Sequence, residues 1–111
     1  MSKDIKFRGK CKLTNNWVYG DVIIMVGDRH LICCHDENKK WIEIEIESKS
    51  ICQCTGYKDI NHIDIYENDI VKYDDECYVV PSVKKINGQL NEDFKIVGNK
   101  IDNPNLKIKT L

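Results

Sequence analysis

At 111 residues, 41% of them hydrophobic and 32% charged, the chain is long enough for one folded domain that buries roughly two-thirds of its unfolded surface. A formal net charge of −1 excludes a protein whose main work is to coat nucleic acid through bulk positive charge. The longest aliphatic run, VIIMV at 22–26, is far too short to span a bilayer, and the opening MSKDIKFRGK has no apolar stretch behind it, so the expected setting is the cytosol.

Taken in chain order, the pattern reads as strands and tight turns. Residues 3–12 carry Lys3, Lys6, Arg8, Lys10 and Lys12 against Asp4 alone. Asn15-Asn16 separates CKLT from WVYG as a turn. Gly27-Asp28 joins DVIIMV to RHLICC, and Gly first in a two-residue loop suits a type II′ hairpin. Pairing across it sets Val26, Ile24 and Val22 opposite Arg29, Leu31 and Cys33, with Met25 and Ile23 opposite His30 and Ile32. Both faces are apolar, which predicts a central hairpin covered on two sides. WIEIEIE at 41–47 alternates strictly, with Ile42, Ile44 and Ile46 inward and Glu43, Glu45 and Glu47 outward. Those glutamates protect an edge strand from unwanted pairing.

Further along, seven carboxylates lie between Asp59 and Glu76 against Lys72 alone, and the tail from Lys95 turns basic. Such segregation can give one acidic and one basic surface, which suits self-association or a protein partner. Pro81 ends the strand around Tyr78-Val79-Val80 or places it at an edge. Asn87-Gly88, between KKI and QL, is the strongest turn signal and favours type I′. Asp102-Asn103-Pro104 can start a short helical turn. The fold expected is mainly β: a small single-domain barrel or sandwich over residues 1–111, of short antiparallel strands with at most short helical turns.

The residues of types that carry chemistry do not converge on a reaction. Six cysteines in a cytosolic chain are expected as free thiols packed as small hydrophobes. No C-x-x-C knuckle is present. Cys33 and Cys34 point to opposite strand faces, and Cys52 and Cys54 stand about 7 Å apart at strand rise. Neither a metal nor a cofactor is expected. Cys34 beside His35 is no nucleophile–base pair in a strand, and no phosphate loop or nucleophile elbow occurs. The carboxylates of the acidic block include no pair that spacing selects for acid–base work. Aromatics interleave with positive charge at one place, where Arg8 and Lys10 precede Trp17 and Tyr19.

Several segments, in matching order, resemble the YopX family of phage and prophage proteins. IKFRGK (Ile5–Lys10) and WVYGDVI (Trp17–Ile23) are similar to its opening. Its most specific signature, Gln-x-Thr-Gly-x-x-Asp running into Ile-Tyr-Glu-Gly-Asp-Ile-Val, stands here as Gln53, Thr55, Gly56 and Asp59, then Ile65, Tyr66, Glu67, Asp69, Ile70 and Val71. The closing signature matches Gly98-Asn99 and Asn103-Pro104. Two glycines are replaced: Asn61-His62 stands where Asn-Gly is common, and Asn68 stands between Glu67 and Asp69. Asn and His tolerate positive φ better than most residues, so both turns are expected to persist.

The resemblance implies a mainly β fold with a small-barrel core, a phage or prophage origin and action in the bacterial cytoplasm. It brings no catalytic residues or cofactor. The expected function is that of an accessory protein, not an enzyme, that binds a host or phage protein and can act in counter-defence. One alternative is a nucleic-acid-binding module using Arg8, Lys10, Trp17 and Tyr19. Another is a small-ligand or nucleotide binder at a subunit interface, built on Tyr57, Asp59, Tyr66 and Asp69. Strand edges and opposite charge blocks also point to a homo-oligomer.

Overall fold

The computed structural model describes residues 6–111, so Lys3, Asp4 and Ile5 of the basic opening lie outside the described residues. The chain divides into two compact units, one reaching to Gln53 and the other running from Cys54 to Leu111. Both consist of short strands, and the helical pieces among the described residues are 3₁₀ turns at Ser48–Ser50 and Val83–Lys85. The fold is mainly β, as its turn-punctuated pattern predicts. Of the barrel or sandwich expected, no closed barrel forms among the described residues: the strands make small sheets. Strands of two to seven residues, ended by tight turns, do not provide the continuous staggered ladder that closure requires.

In the first unit, β1 (Phe7–Lys10) and β2 (Trp17–Gly20) form one hairpin, while β3 (Val22–Val26) and β4 (Arg29–His35) form another. At the second, Gly27 takes φ = 64° and Asp28 stays out of the left-handed region, the pattern of a type II′ turn. Its register pairs Val26 with Arg29, Ile24 with Leu31 and Val22 with Cys33, as the alternation requires. β5 (Trp41–Ile46) adds to the far side of β4, so β4 is central and β3 is an edge.

That order corrects the expectation of a hairpin covered on two sides. Ile32 and Cys33 of β4 are fully buried, but Val22, Met25 and Val26 of β3 are exposed. An edge strand has a neighbour on one side only, so its two apolar faces share less cover. The β5 alternation holds, with Ile46 buried, Ile42 and Ile44 half-buried and Glu43 exposed.

The β1–β2 hairpin turns at Asn15, which has φ = 61° and donates its N–H to the Cys11 carbonyl at 2.8 Å. Cys52 and Gln53, the first residues of β6 (Cys52–Lys58), pair along the other side of β1. Strand alternation puts Arg8, Lys10, Trp17 and Tyr19 on one face and Gly9, Val18 and Gly20 on the other. The glycine face meets the three-stranded sheet at very short range. A Cβ on Gly9 would stand 2.6 Å from Ile46 Cδ1, and one on Gly20 would stand 2.3 Å from the Cys33 carbonyl oxygen.

In the second unit, the rest of β6 pairs with β7 (Asp64–Tyr66) through an irregular register in which Gly56 takes φ = 84°. β8 (Asp69–Tyr73) lies between β9 (Glu76–Val79) and β10 (Lys95–Asn99), antiparallel to both. β11 (Lys109–Thr110) joins β9 in parallel, a departure from the all-antiparallel expectation made by a long return connection. Pro81 follows the end of β9, as expected.

Asn87-Gly88 does not join two strands. Gly88 has φ = 82° but Asn87 is not left-handed, and the KKI segment before it closes the second 3₁₀ turn, so the pair forms a bend. At Asp102-Asn103-Pro104 the chain makes a single short turn and goes no further: Leu106 N–H donates to the Asn103 carbonyl at 3.3 Å. The core of this unit is Ile65, Val71, Val80, Leu90 and Phe94, with Tyr78, Ile86, Ile96 and Leu111 packed around it. Ring contacts of Phe94 with Tyr73 at 5.0 Å and Tyr78 at 6.4 Å close one side.

Candidate functional site

The signature residues of the second unit form a set of interlocked turns. Asp59 is 1% exposed, and its carboxylate accepts three backbone N–H groups. Oδ1 takes those of Asn61 and Ile63, each at 2.9 Å, and Oδ2 takes that of Ile96 at 3.1 Å. Ile96 stands where the β8–β10 register shifts, so one carboxylate fixes its own turn and the start of an irregular strand 37 residues away. Burial pushes the Asp59 carboxyl up, but the amides of Ile63, Ile96 and Asn61, with nearby His62, outweigh it and hold the group below its ordinary value.

Asp69 is equally buried and accepts the Tyr66 N–H at 2.8 Å. Glu67 accepts the Val83 N–H at 2.9 Å. Thr55 donates its hydroxyl to the Ile65 carbonyl at 2.8 Å and accepts the Tyr57 N–H at 3.1 Å, bracketing Gly56. In the closing signature, Asn99 Oδ1 accepts the Asp102 N–H and its amide donates to the Asp102 carboxylate, both at 2.8 Å. Gly98 and Asn99 are half-buried and Pro104 is exposed. Ile65, Tyr66, Ile70 and Val71 are buried, and Gln53 is half-buried opposite Phe7.

The two substituted turns keep their conformation: His62 has φ = 63° and Asn68 has φ = 67°. For His62 this carries a steric cost that glycine lacks. Replacing His62 by glycine is expected to raise stability by about 0.5 kcal/mol, the relief of the left-handed cost offset by the greater unfolded entropy of glycine. A urea midpoint that moves down instead would show that the imidazole stabilises the turn by more than its strain.

The acidic block does not make one continuous acidic face. Asp59 and Asp69 are buried, Asp64 meets Lys58 at 2.8 Å, and Glu76 meets Lys109 at 3.5 Å and accepts the Tyr78 hydroxyl at 2.9 Å. Of the four residues Tyr57, Asp59, Tyr66 and Asp69, Tyr57 is exposed and the other three are buried.

In the first unit, Arg8, Lys10, Trp17 and Tyr19 do share a face. The Arg8 guanidinium lies 4.4 Å from the Trp17 ring centroid and Lys10 Nζ lies 5.0 Å from it. Arg8 is itself buried, however, while Tyr19 is the exposed member. Lys10 and Trp17 are half-buried.

The sequence reading passed over a surface groove of about 420 Å³ lined by Cys11, Lys12, Leu13, Glu43, Ile44 and Glu45. Glu45 meets Arg29 at 3.1 Å and Lys12 at 3.5 Å. The Cys11 thiol is lowered from its ordinary value by the Thr14 hydroxyl and then by the Thr14 and Leu13 backbone amides. Burial instead raises the thiols of Cys33 and Cys34. Only the loop position of Cys11 before a Thr-containing turn could have singled it out. All six cysteines are free thiols, and no three His, Cys, Asp or Glu residues are grouped to hold a metal among the described residues. His35 does not serve Cys34; it packs edge-on against Trp41, with ring centroids 5.4 Å apart.

No curated protein and no solved structure matches the chain. The family model of the YopX protein does, from residue 6 to residue 107, a span that takes in every turn described above. With its signature carboxylates holding those turns and nearly its whole length matched, the chain belongs to the YopX family.

Proposed function

We propose that this chain is a phage or prophage accessory protein that acts in the bacterial cytoplasm by binding a host or phage protein, without catalysing a reaction. A role in countering host defence is included in that reading. The observation that carries it is the use of the signature's polar groups. Asp59, Asp69, Glu67 and Thr55 bond backbone groups and thereby hold turns, which is the work of a scaffold. Among its exposed residues the first unit also carries Leu13, Tyr19, Met25, Val26 and Trp41, and exposed apolar side chains of this kind suit macromolecular contact.

Native mass spectrometry on protein purified gently from an induced or infected host tests this. The expected result is a species heavier than the chain, or than a whole number of chains, by the mass of a second protein. The same spectrum reports any homo-oligomer. Excess mass equal to a small molecule, or none, would overturn the reading.

Lys10 over Trp17 beside exposed Tyr19 supports a second reading, contact with single-stranded nucleic acid. It predicts affinity that falls steeply as salt rises, and failure to bind at low salt removes it.

A further inference from the structure

We propose that the free edge of β3 is a docking site for an extended segment of another protein, apolar in its middle and bracketed by lysine or arginine, which joins the sheet as an added strand. This deepens the binding role proposed above and rests on it.

The edges of the described sheets are not treated alike. β5, on the other side of the same sheet, carries Glu43 and Glu45 and is capped by the β1–β2 loop. Cys11 bridges to Ile46, Lys12 N–H donates to the Glu45 carbonyl at 3.0 Å, and Glu47 N–H donates to the Lys10 carbonyl at 2.9 Å. β10 has Lys95 and a register shift between Ile96 and Gly98. These are the devices by which proteins blunt an edge. β3 has neither charge nor proline nor register shift; it is five aliphatic residues in regular pairing, and among the described residues it pairs with β4 alone.

The groups it offers follow from the hairpin. Val26 and Arg29 flank the two-residue turn as a hydrogen-bonded pair, so Val22, Ile24 and Val26 bond toward β4. The N–H and C=O groups of Ile23 and Met25 then point away from the sheet. Around them Met25 is 66% exposed, Val26 52% and Val22 39%, an apolar rim that an added strand would cover.

Charge identifies the kind of strand. Asp21 and Asp28 bracket the edge at its two ends, and both are exposed. The nearby Arg29 is matched by Glu45 at 3.1 Å. A second copy aligned antiparallel about Ile24 would set Asp21 of each chain one position from Asp28 of the other, placing like charges together at both ends. A segment flanked by basic residues converts both ends to attraction.

The test uses the whole chain and two short acetylated peptides of alternating valine and threonine, one capped at each end by lysine and one by glutamate. Fluorescence anisotropy is expected to show the lysine-capped peptide binding about tenfold more tightly, with the margin shrinking as salt rises. Met25→Pro removes one outward N–H without touching the β3–β4 ladder and should abolish binding at an unchanged circular dichroism spectrum. If that variant does not fold, hydrogen exchange on the unaltered chain gives the reading: the peptide should slow exchange at Ile23 and Met25. Asp21→Lys with Asp28→Lys should reverse the preference between peptides.

Equal affinity for the two peptides, no binding, or protection elsewhere would overturn the proposal. So would self-association that Met25→Pro abolishes, which would make a second copy the occupant. A native partner retained by Met25→Pro would sink this edge while leaving the binding role intact; edge-specific peptide binding with no native protein partner would do the reverse.

Discussion

Replacing Asp59 by alanine is expected to destabilise the second unit by about 3–5 kcal/mol. The carboxylate accepts the N–H groups of Asn61, Ile63 and Ile96, and alanine leaves these donors without it in a site that is 1% exposed. Each buried donor left unpaired costs on the order of 1–3 kcal/mol, and water entering the vacated space recovers part of the total. Asp59→Asn keeps the shape and one acceptor oxygen but turns an N–H₂ group toward a backbone donor, so it should cost less than alanine and still more than a surface change. Chemical unfolding of both variants checks this order. A cost below about 1 kcal/mol for alanine would mean that the turns stand without the carboxylate.

The same group sets part of the acid sensitivity. Its folded-state value lies below the ordinary one: burial opposes ionisation, but the amides of Ile63, Ile96 and Asn61 together with His62 favour it more strongly. A depressed carboxyl binds more protons unfolded than folded, so its contribution is fully present above the unfolded value of about 3.9 and fades as pH falls through the folded value. Asp59→Asn should therefore flatten the acid limb of the stability curve below about pH 4, while its cost at neutral pH stays constant. An acid limb as steep in the variant as in the unaltered chain would assign the effect to other carboxylates.

The legible parts of the fold were those fixed by local periodicity and turn chemistry. Gly27 in a two-residue loop and strict alternation in WIEIEIE determined a hairpin register and an inward face without knowledge of the neighbours. The turns at His62 and Asn68 were legible through the family resemblance, which sets glycine at both positions, and both residues keep the positive φ. What escaped was set by distant partners. The third amide on Asp59 comes from Ile96, 37 residues away, so a residue recognised as signature did not disclose what it holds. The edge position of β3 depends on β5 docking on the other side of β4, and nothing within VIIMV records strand order. Arg8 looked like a surface cation by charge but is buried against Trp17, because a guanidinium stacks on an indole as well as it solvates. Asn87-Gly88 carried a strong hairpin signal and still gave a bend, since a 3₁₀ turn took the place of the strand before it.

Gly20→Ala is the sharpest steric test of the first unit, with an expected loss of about 3 kcal/mol. The added Cβ would stand 2.3 Å from the Cys33 carbonyl oxygen, and 3.1 Å from both the Cys33 carbonyl carbon and Ile32 Cγ1. Real contacts of that kind do not occur, so something must move. The obstructing atom is backbone, and it belongs to β4, which is paired on both edges, Cys33 with Val22 on one side and with Glu43 on the other. Shifting it disturbs two ladders at once. Gly9→Ala gives the control on the same hairpin, because its Cβ meets the end of a side chain, Ile46 Cδ1, at 2.6 Å. A change of rotamer can move Ile46 Cδ1 away, while Ile46 Cβ at 3.1 Å must give by a few tenths of an ångström, so this variant should lose about 1–2 kcal/mol. Urea midpoints should therefore fall for both, and further for Gly20→Ala. The reverse order, or a Gly20→Ala variant within about 0.5 kcal/mol of the unaltered chain, would mean that β2 does not press on β4 in solution.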